Sequence, residues 1–389
     1  MSPLSRRNFL GTFAAGAAAL RGRWSGPAGP GPGPRPKLAL IHATDLFRPH
    51  NDPDDHFDLA TVFALAAQGR FELLAVMIDH PREDVAVDPD VQAVAQLGRM
   101  TGLPVPVLTG SSKRLEPAEA VWPEARPQVA GILALLKLMR DSRHPVAISI
   151  VGSCRDVALA GRLDPDLFAA KCAGVYINAG SGTPDPAKAA RLEYNVALDP
   201  ASYAAVFELP CPIFWLPCFE VAPGGGVPFA AGEFGTYYRF LQKDVLPRLS
   251  PRLQNYFAFM FKQGETDGAR QTEADALRPD WLRVLEGPPD RSLLGRLGED
   301  TRNMWSTAGF FHLAGLAVAA NGRIAGRDER GTDAAYTFDP VRVRCGADGV
   351  TAWSPDARSR DRFLFHVRDP GRYPAAMTAA LTSLLGTLE

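Results

Sequence analysis

The chain has 389 residues, 46% hydrophobic and 22% charged, and its 42 Lys and Arg against 43 Asp and Glu leave a net charge of −1. That composition has ample material for a packed core in one large domain or two ordinary ones, and argues against disorder over most of the length. It lacks the basic excess of a protein that coats nucleic acid, and no apolar stretch is long enough for a transmembrane span.

At the N-terminus, Ser5-Arg6-Arg7-Asn8-Phe9-Leu10 precedes a short run of small and apolar residues from Gly11 to Leu20. The order of arginine pair, apolar stretch and small residues resembles a twin-arginine export signal, which implies an exported, periplasmic or extracellular protein. The competing reading is a short amphipathic helix with a basic end. Gly26 to Pro36 is almost entirely Gly and Pro and reads as a tether. The expected organisation is a signal and tether over 1–36, an α/β domain over 37–336, and a C-terminal extension over 337–389 packed on that domain.

Beyond the tether, short β-rich runs alternate with longer helical ones. Lys37 to His42 reads as a buried strand, Asp54 to Gln68 as a helix and Leu73 to Ile78 as a second strand. A helix from Pro89 to Thr101 is expected, with Asp88 as its cap and Gly102 at its end. Val105 to Leu108 is a short strand, Gln128 to Arg140 a helix, and Val146 to Val151 a strand without a charge. Further strands are expected at Gly174 to Ile177 and Ile213 to Leu216, with a helix opening near Pro200 between them. Gly232 to Phe261 is aromatic-rich and reads as a helical cap whose rings pack in the core or wall a ligand pocket. Met304 to Ala320 reads as an apolar helix, Thr337 to Val367 as a few strands, and Pro374 to Leu388 as the last helix. The fold class is therefore α/β: an open, mostly parallel sheet with helices on both faces, a helical cap and a small β-containing C-terminal extension. The five cysteines, Cys154, Cys172, Cys211, Cys218 and Cys345, form no C-x-x-C and read mainly as buried small residues.

In such a sheet ligands bind beyond the carboxyl ends of the strands. The densest chemistry lies there, after the first strand: Asp45, Asp52, Asp54, Asp55 and Asp58 fall within fourteen residues. Like charges so close repel unless a cation or an arginine compensates, and hard oxygen donors suit Ca²⁺ or Mg²⁺ better than zinc. Helix capping accounts for one or two of these acids but not for Asp45 and the Asp54-Asp55 pair together.

This opening resembles that of the inosine-uridine-type nucleoside hydrolases, in which a strand is followed by an aspartate and then by a helix-starting aspartate pair. The interval Leu46 to Pro53 is longer than in that family, so Asp52 can share the role of Asp45. The likeness continues in order through Thr101 to Gly110, Val151-Gly152-Ser153-Cys154-Arg155-Asp156, Ile177-Asn178-Ala179-Gly180-Ser181 and Glu193-Tyr194-Asn195. It covers about Lys37 to Glu220. The resemblance implies Ca²⁺ held by Asp45, Asp52, Asp55 and the Val151 carbonyl. It implies sugar binding by Asp54, Asn178, Glu193 and Asn195, with Asp45 as the base that deprotonates water. Phe311-His312-Leu313 is similar to a late His-Asp motif without its Asp, which makes His312 a candidate acid for the leaving base. The lone His on an apolar helix is otherwise a core residue.

The activity implied is Ca²⁺-dependent hydrolysis of the N-glycosidic bond of ribonucleosides, through an oxocarbenium-like state, on a small-molecule substrate with no nucleic-acid partner. The resemblance also implies a homo-oligomer, since several family members form dimers or tetramers. Two alternatives stand beside it: a noncatalytic sugar- or nucleoside-binding protein on the same fold, and a hydrolase of other glycosides.

Overall fold

The computed structural model describes residues 38–47, 53–79, 89–115, 129–265, 280–329 and 332–389. The export-signal and tether readings, Asp52 and Asp88 lie outside the described residues.

The first strand, β1 (Ala39–Thr44), is buried on both sides, as its uncharged sequence requires. Its alternate side chains serve opposite cores: Leu40 joins the cluster on one face, and Ala39, Ile41 and Ala43 join the other. The chain then passes through the Pro53–Ala67 helix to β2 (Glu72–Ile78), and through the Pro89–Thr101 helix to β3 (Val107–Thr109). The Ala130–Asp141 helix leads to β4 (Val146–Ile150), and two short helices lead to β5 (Cys172–Asn178). Three more, Pro186–Ala189, Tyr194–Leu198 and Pro200–Val206, lead to β6 (Ile213–Leu216). After β7 (Tyr238–Leu241), β8 (Thr301–Met304), β9 (Leu316–Val318) and β10 (Ile324–Gly326) come β11 (Tyr336–Cys345), β12 (Thr351–Pro355) and β13 (Arg362–Val367).

Nine strands form one sheet in the order β12-β11-β13-β6-β5-β4-β1-β2-β3. Every pair from β13 to β3 is parallel, and β11 runs antiparallel to both β12 and β13. The expected mostly parallel α/β sheet with helices on both faces is what the chain forms. One face is covered by the Pro53–Ala67, Pro251–Glu265 and Tyr373–Leu385 helices, the other by the Ala130–Asp141, Arg155–Leu163 and Pro200–Val206 helices. The last strands continue the main sheet, because β13 pairs with β6.

Two expected helices are shorter than their apolar runs. Within Gly232 to Phe261, Tyr238 and Phe240 are buried while Arg239 and Leu241 are exposed, a period of two that makes β7 and pairs it with β8. The helix begins only at Pro251. Met304 to Ala320 holds a helix over Thr307–Leu313 alone. Gly315, at φ 73°, ends it in the left-handed region, and β9 follows.

Strand order reverses between β1 and β4, since β2 and β3 build outward on one side and β5 and β6 on the other. A crevice therefore opens where the loops after β1 and β4 diverge. Among the described residues no helix is long and apolar enough to cross a membrane.

Candidate functional site

A cavity of about 530 Å³ opens at this switch point. Its polar wall is formed by Asp54, Asp55, Val151, Asn178, Glu193 and Asn195. An aromatic wall faces them from Phe219, Phe229 and Trp305.

Asp54 and Asp55 open the Pro53–Ala67 helix, where the unpaired N–H groups favour negative charge. The Asp55 Oδ2 accepts from the Thr44 hydroxyl at 2.9 Å and from the Asp45 N–H at 3.4 Å, so the end of β1 orients it. Asp58, three residues on from Asp55 and four from Asp54, lies on the same face of the helix. Ligand oxygens of Asp54, Asp55 and Asp58 all lie within 4.8 Å of one another, and all three residues are buried. Three carboxylates so placed strongly favour a proton or a cation among them. All the donors are hard oxygens, and Val151 lines the cavity beside Asp54 and Asp55, so the set fits a hard divalent cation. The sequence counts Asp58 in the acidic cluster without giving it a ligand role; its helical spacing from Asp54 and Asp55 is the signal that points to one.

Asp45 is 2% exposed and lies outside both this triad and the cavity lining. Its carboxyl is beside Gly152: a Cβ there would come within 2.9 Å of Asp45 Cγ and 3.0 Å of Asp79 Oδ2. Only glycine lets both acids approach this backbone. Asp79, at the end of β2, accepts from the Ser153 N–H and hydroxyl, each at 2.8 Å. Asp156 accepts from the Ser111 N–H at 2.7 Å, and burial together with the charge of Asp79 pushes its carboxyl well above the usual range.

Glu193 caps the Tyr194–Leu198 helix. Its carboxylate accepts from the N–H of Asn195 at 3.0 Å, of Gly180 at 2.9 Å and of Val196 at 3.4 Å. Burial raises its pKa against the lowering effect of those donors. Asn195 donates its side-chain amide to the Val151 carbonyl at 3.1 Å and to the Asn178 carbonyl at 3.2 Å. The Arg155 guanidinium donates to the Leu198 carbonyl at 2.9 Å, holding this segment against the helix after β4. The Asn178 side chain donates to the Leu216 carbonyl at 3.0 Å and the Thr236 hydroxyl at 3.1 Å. Its Oδ1 accepts from the Ser306 hydroxyl at 2.7 Å, so this amide is committed to fixing the cavity wall.

The structure thus brings Asp54, Asp55, Val151, Asn178, Glu193 and Asn195 together, with Asp45 behind them. It does not bring in His312. That ring packs at tilted angles against Tyr176, Phe214 and Phe338, and is not among the residues lining the cavity. Arg327 donates to its Nε2 at 3.3 Å, and its Nδ1 meets the Tyr176 hydroxyl at 3.0 Å. Burial, with Arg327 adding to it, lowers its pKa to about 3, so the imidazole is neutral at neutral pH and suits the core better than a proton donor's role. The late segment reaches the cavity through Trp305 and Ser306 instead, at the N-terminus of the Thr307–Leu313 helix. The sequence places both inside an apolar run read as a helix from Met304, so it gives no signal for them; the structure starts that helix only at Thr307. The five cysteines are free, and four are buried.

Residues 50–262 match the family model described as inosine-uridine preferring nucleoside hydrolase. No curated protein matches the chain. Among solved structures, a plant nucleoside hydrolase superposes with a TM-score of 0.52 at 15% identity, over 90% of this chain and 100% of that one. An inosine-guanosine nucleoside hydrolase gives 0.46 at 15% identity, over 88% and 98%. An inosine-uridine preferring nucleoside hydrolase from Bacillus anthracis gives 0.41 at 13% identity, over 89% and 99%. At these identities structural likeness speaks to fold alone, and the first of the three carries it.

Proposed function

The chain belongs to the inosine-uridine preferring nucleoside hydrolase family, and from that premise we propose that it hydrolyses the N-glycosidic bond of ribonucleosides, releasing ribose and a nucleobase, with Ca²⁺ at the Asp55 carboxylate. The observation that carries this reading is one cavity in which buried carboxylates of the β1–helix turn face Glu193 and Asn195, opposite an aromatic wall. Carboxylates and amides grip sugar hydroxyls, and flat aromatic surfaces suit a heterocyclic leaving group.

In this mechanism Asp54, Glu193 and Asn195 hold the ribose, and their fixed positions supply most of the rate by orientation. The family resemblance gives the proton of the attacking water to Asp45, whose carboxyl lies beside Gly152 behind the cavity wall; the acids that line the cavity next to the sugar site are Asp54 and Asp55. The negative carboxylates favour the positive charge that develops on the sugar as the base departs. Asp54, Asp55, Asp58 and the Val151 carbonyl are the groups that would hold the cation, with Asp45 and Asp52 as further candidates. A bound Ca²⁺ would supply Lewis acidity that lowers the pKa of water.

We read residues 1–36 as an export signal and tether, so that the enzyme acts outside the cytoplasm and folds before export; fusing this segment to a reporter and locating the product tests that. The test of function is ribose release from a nucleoside panel with Ca²⁺ and with chelator. Chelator-sensitive release is expected. A folded protein that binds Ca²⁺ and nucleoside but releases no ribose would instead be a binding protein. That second reading is favoured by the Val151 carbonyl, which already accepts from Asn195, and by the missing Asp of the late His-Asp-like motif at His312.

A further inference from the structure

The mouth of the cavity carries features that a neutral nucleoside leaves unused. Arg191 lines the cavity two residues before Glu193, and its side chain is exposed. No ion pair or hydrogen bond to an acidic group engages it among the described residues. Its guanidinium lies against Gly224 and Gly225, in the space that side chains at those two positions would take. A Cβ built at Gly224 would overlap the guanidinium carbon and both terminal nitrogens, and Gly224 is at φ 106°. The glycine run therefore serves as a seat for this cation. Two large apolar side chains stand exposed at the same rim, Tyr194 at 44% and Phe229 at 53%.

From this arrangement we infer that Arg191 receives a phosphate carried on the sugar, so that the preferred substrate is a phosphorylated nucleoside rather than the nucleoside itself. The inference rests on the nucleoside reading of the same cavity. The floor of the cavity is anionic, at Asp54, Asp55 and Glu193, and would repel a phosphate. The cation on the rim, in the chain segment that also carries Glu193 and Asn195, turns a phosphate outward while the sugar enters. A guanidinium offers two parallel N–H groups to phosphate oxygens, a geometry that lysine does not reproduce. Seating it on glycines restrains the side chain before the ligand arrives, which reduces the ordering cost of binding.

The experiment is calorimetric titration of the full-length chain, in buffer containing Ca²⁺, with ribose and with ribose 5-phosphate. Ribose 5-phosphate should bind about tenfold more tightly than ribose at low salt, and the advantage should shrink at high ionic strength. In Arg191→Gln the advantage should disappear, and in Arg191→Lys it should return in part. Equal affinity for the two sugars in the wild type, or an advantage that survives in Arg191→Gln, overturns the inference and leaves the nucleoside site standing, because ribose still binds. Failure of the wild type to bind either sugar overturns both. Matching melting temperatures of the variants and the wild type would establish that the exposed substitution has not altered the fold.

Discussion

The side-chain amide of Asn195 donates to the main-chain carbonyl of Val151 at 3.1 Å. The bond joins two stretches 44 residues apart, the end of β4 and the helix that Glu193 caps. A second bond from the same amide reaches the Asn178 carbonyl, at the end of β5. One side chain thus clamps three segments of the cavity wall. Truncating it leaves two partly buried carbonyls without their donor. Asn195→Ala should cost about 1–3 kcal/mol in stability by that route. If the clamp also positions the sugar, kcat/KM should fall about 10- to 100-fold. Urea unfolding and steady-state kinetics on the same preparation separate the two effects. A stable variant with unchanged kcat/KM would remove Asn195 from the binding site.

Asp55, like Asp54, belongs to the buried triad and borders the cavity, and its carboxylate is the one that the end of β1 orients. Asp55→Ala should abolish tight Ca²⁺ binding and lower ribose release by at least about a hundredfold, with the far-ultraviolet circular dichroism preserved. Removing one of three crowded like charges relieves repulsion in the metal-free protein, so its melting temperature without Ca²⁺ should not fall steeply. Calorimetric titration with Ca²⁺ checks the first expectation, and retained affinity would refute the assignment.

His312 offers a cleaner decision. Its ring nitrogens are engaged by Tyr176 and Arg327, away from the cavity lining. His312→Gln should therefore leave kcat within about threefold of wild type, whereas removal of a general acid costs on the order of a hundredfold or more. Its effect should appear in thermal stability, through lost aromatic packing.

Stability should depend on pH through buried imidazoles. His42 and His312 are both lowered from 6.5 to about 3, chiefly by burial. Between those values the unfolded chain binds protons that the folded chain does not, so folding stability falls as pH drops from about 6.5 towards 3 and is complete above that window. Each histidine contributes a slope of up to about 1.4 kcal/mol per pH unit inside it. Denaturant midpoints at pH 7, 6, 5 and 4 measure the slope. Replacing His42 with Gln should flatten it, at the cost of the 2.8 Å bond to Ser149.

Much of this molecule is legible without coordinates. Apolar runs such as Val146 to Ile150 declare strands buried on both faces, because a charge there would have no solvent. The clustering of aspartates after the first strand marks the chemistry, because a strand's carboxyl end in a parallel sheet faces the crevice. The ordered pieces from Asp45 to Asn195 identify the family on their own. Less local features were decided by the tertiary structure. Tyr238 to Leu241 is a strand because β8, some sixty residues away, supplies its partner. His312 lies in an aromatic core because Phe214 and Phe338 close around it. Trp305, Ser306 and Arg191 reach the cavity only because the chain returns there from separate elements. Periodicity and charge are properties of neighbours along the chain, so the sequence by itself determined the parallel α/β frame and its acidic rim. Which distant side chains complete that rim depends on long-range packing, which local pattern does not encode.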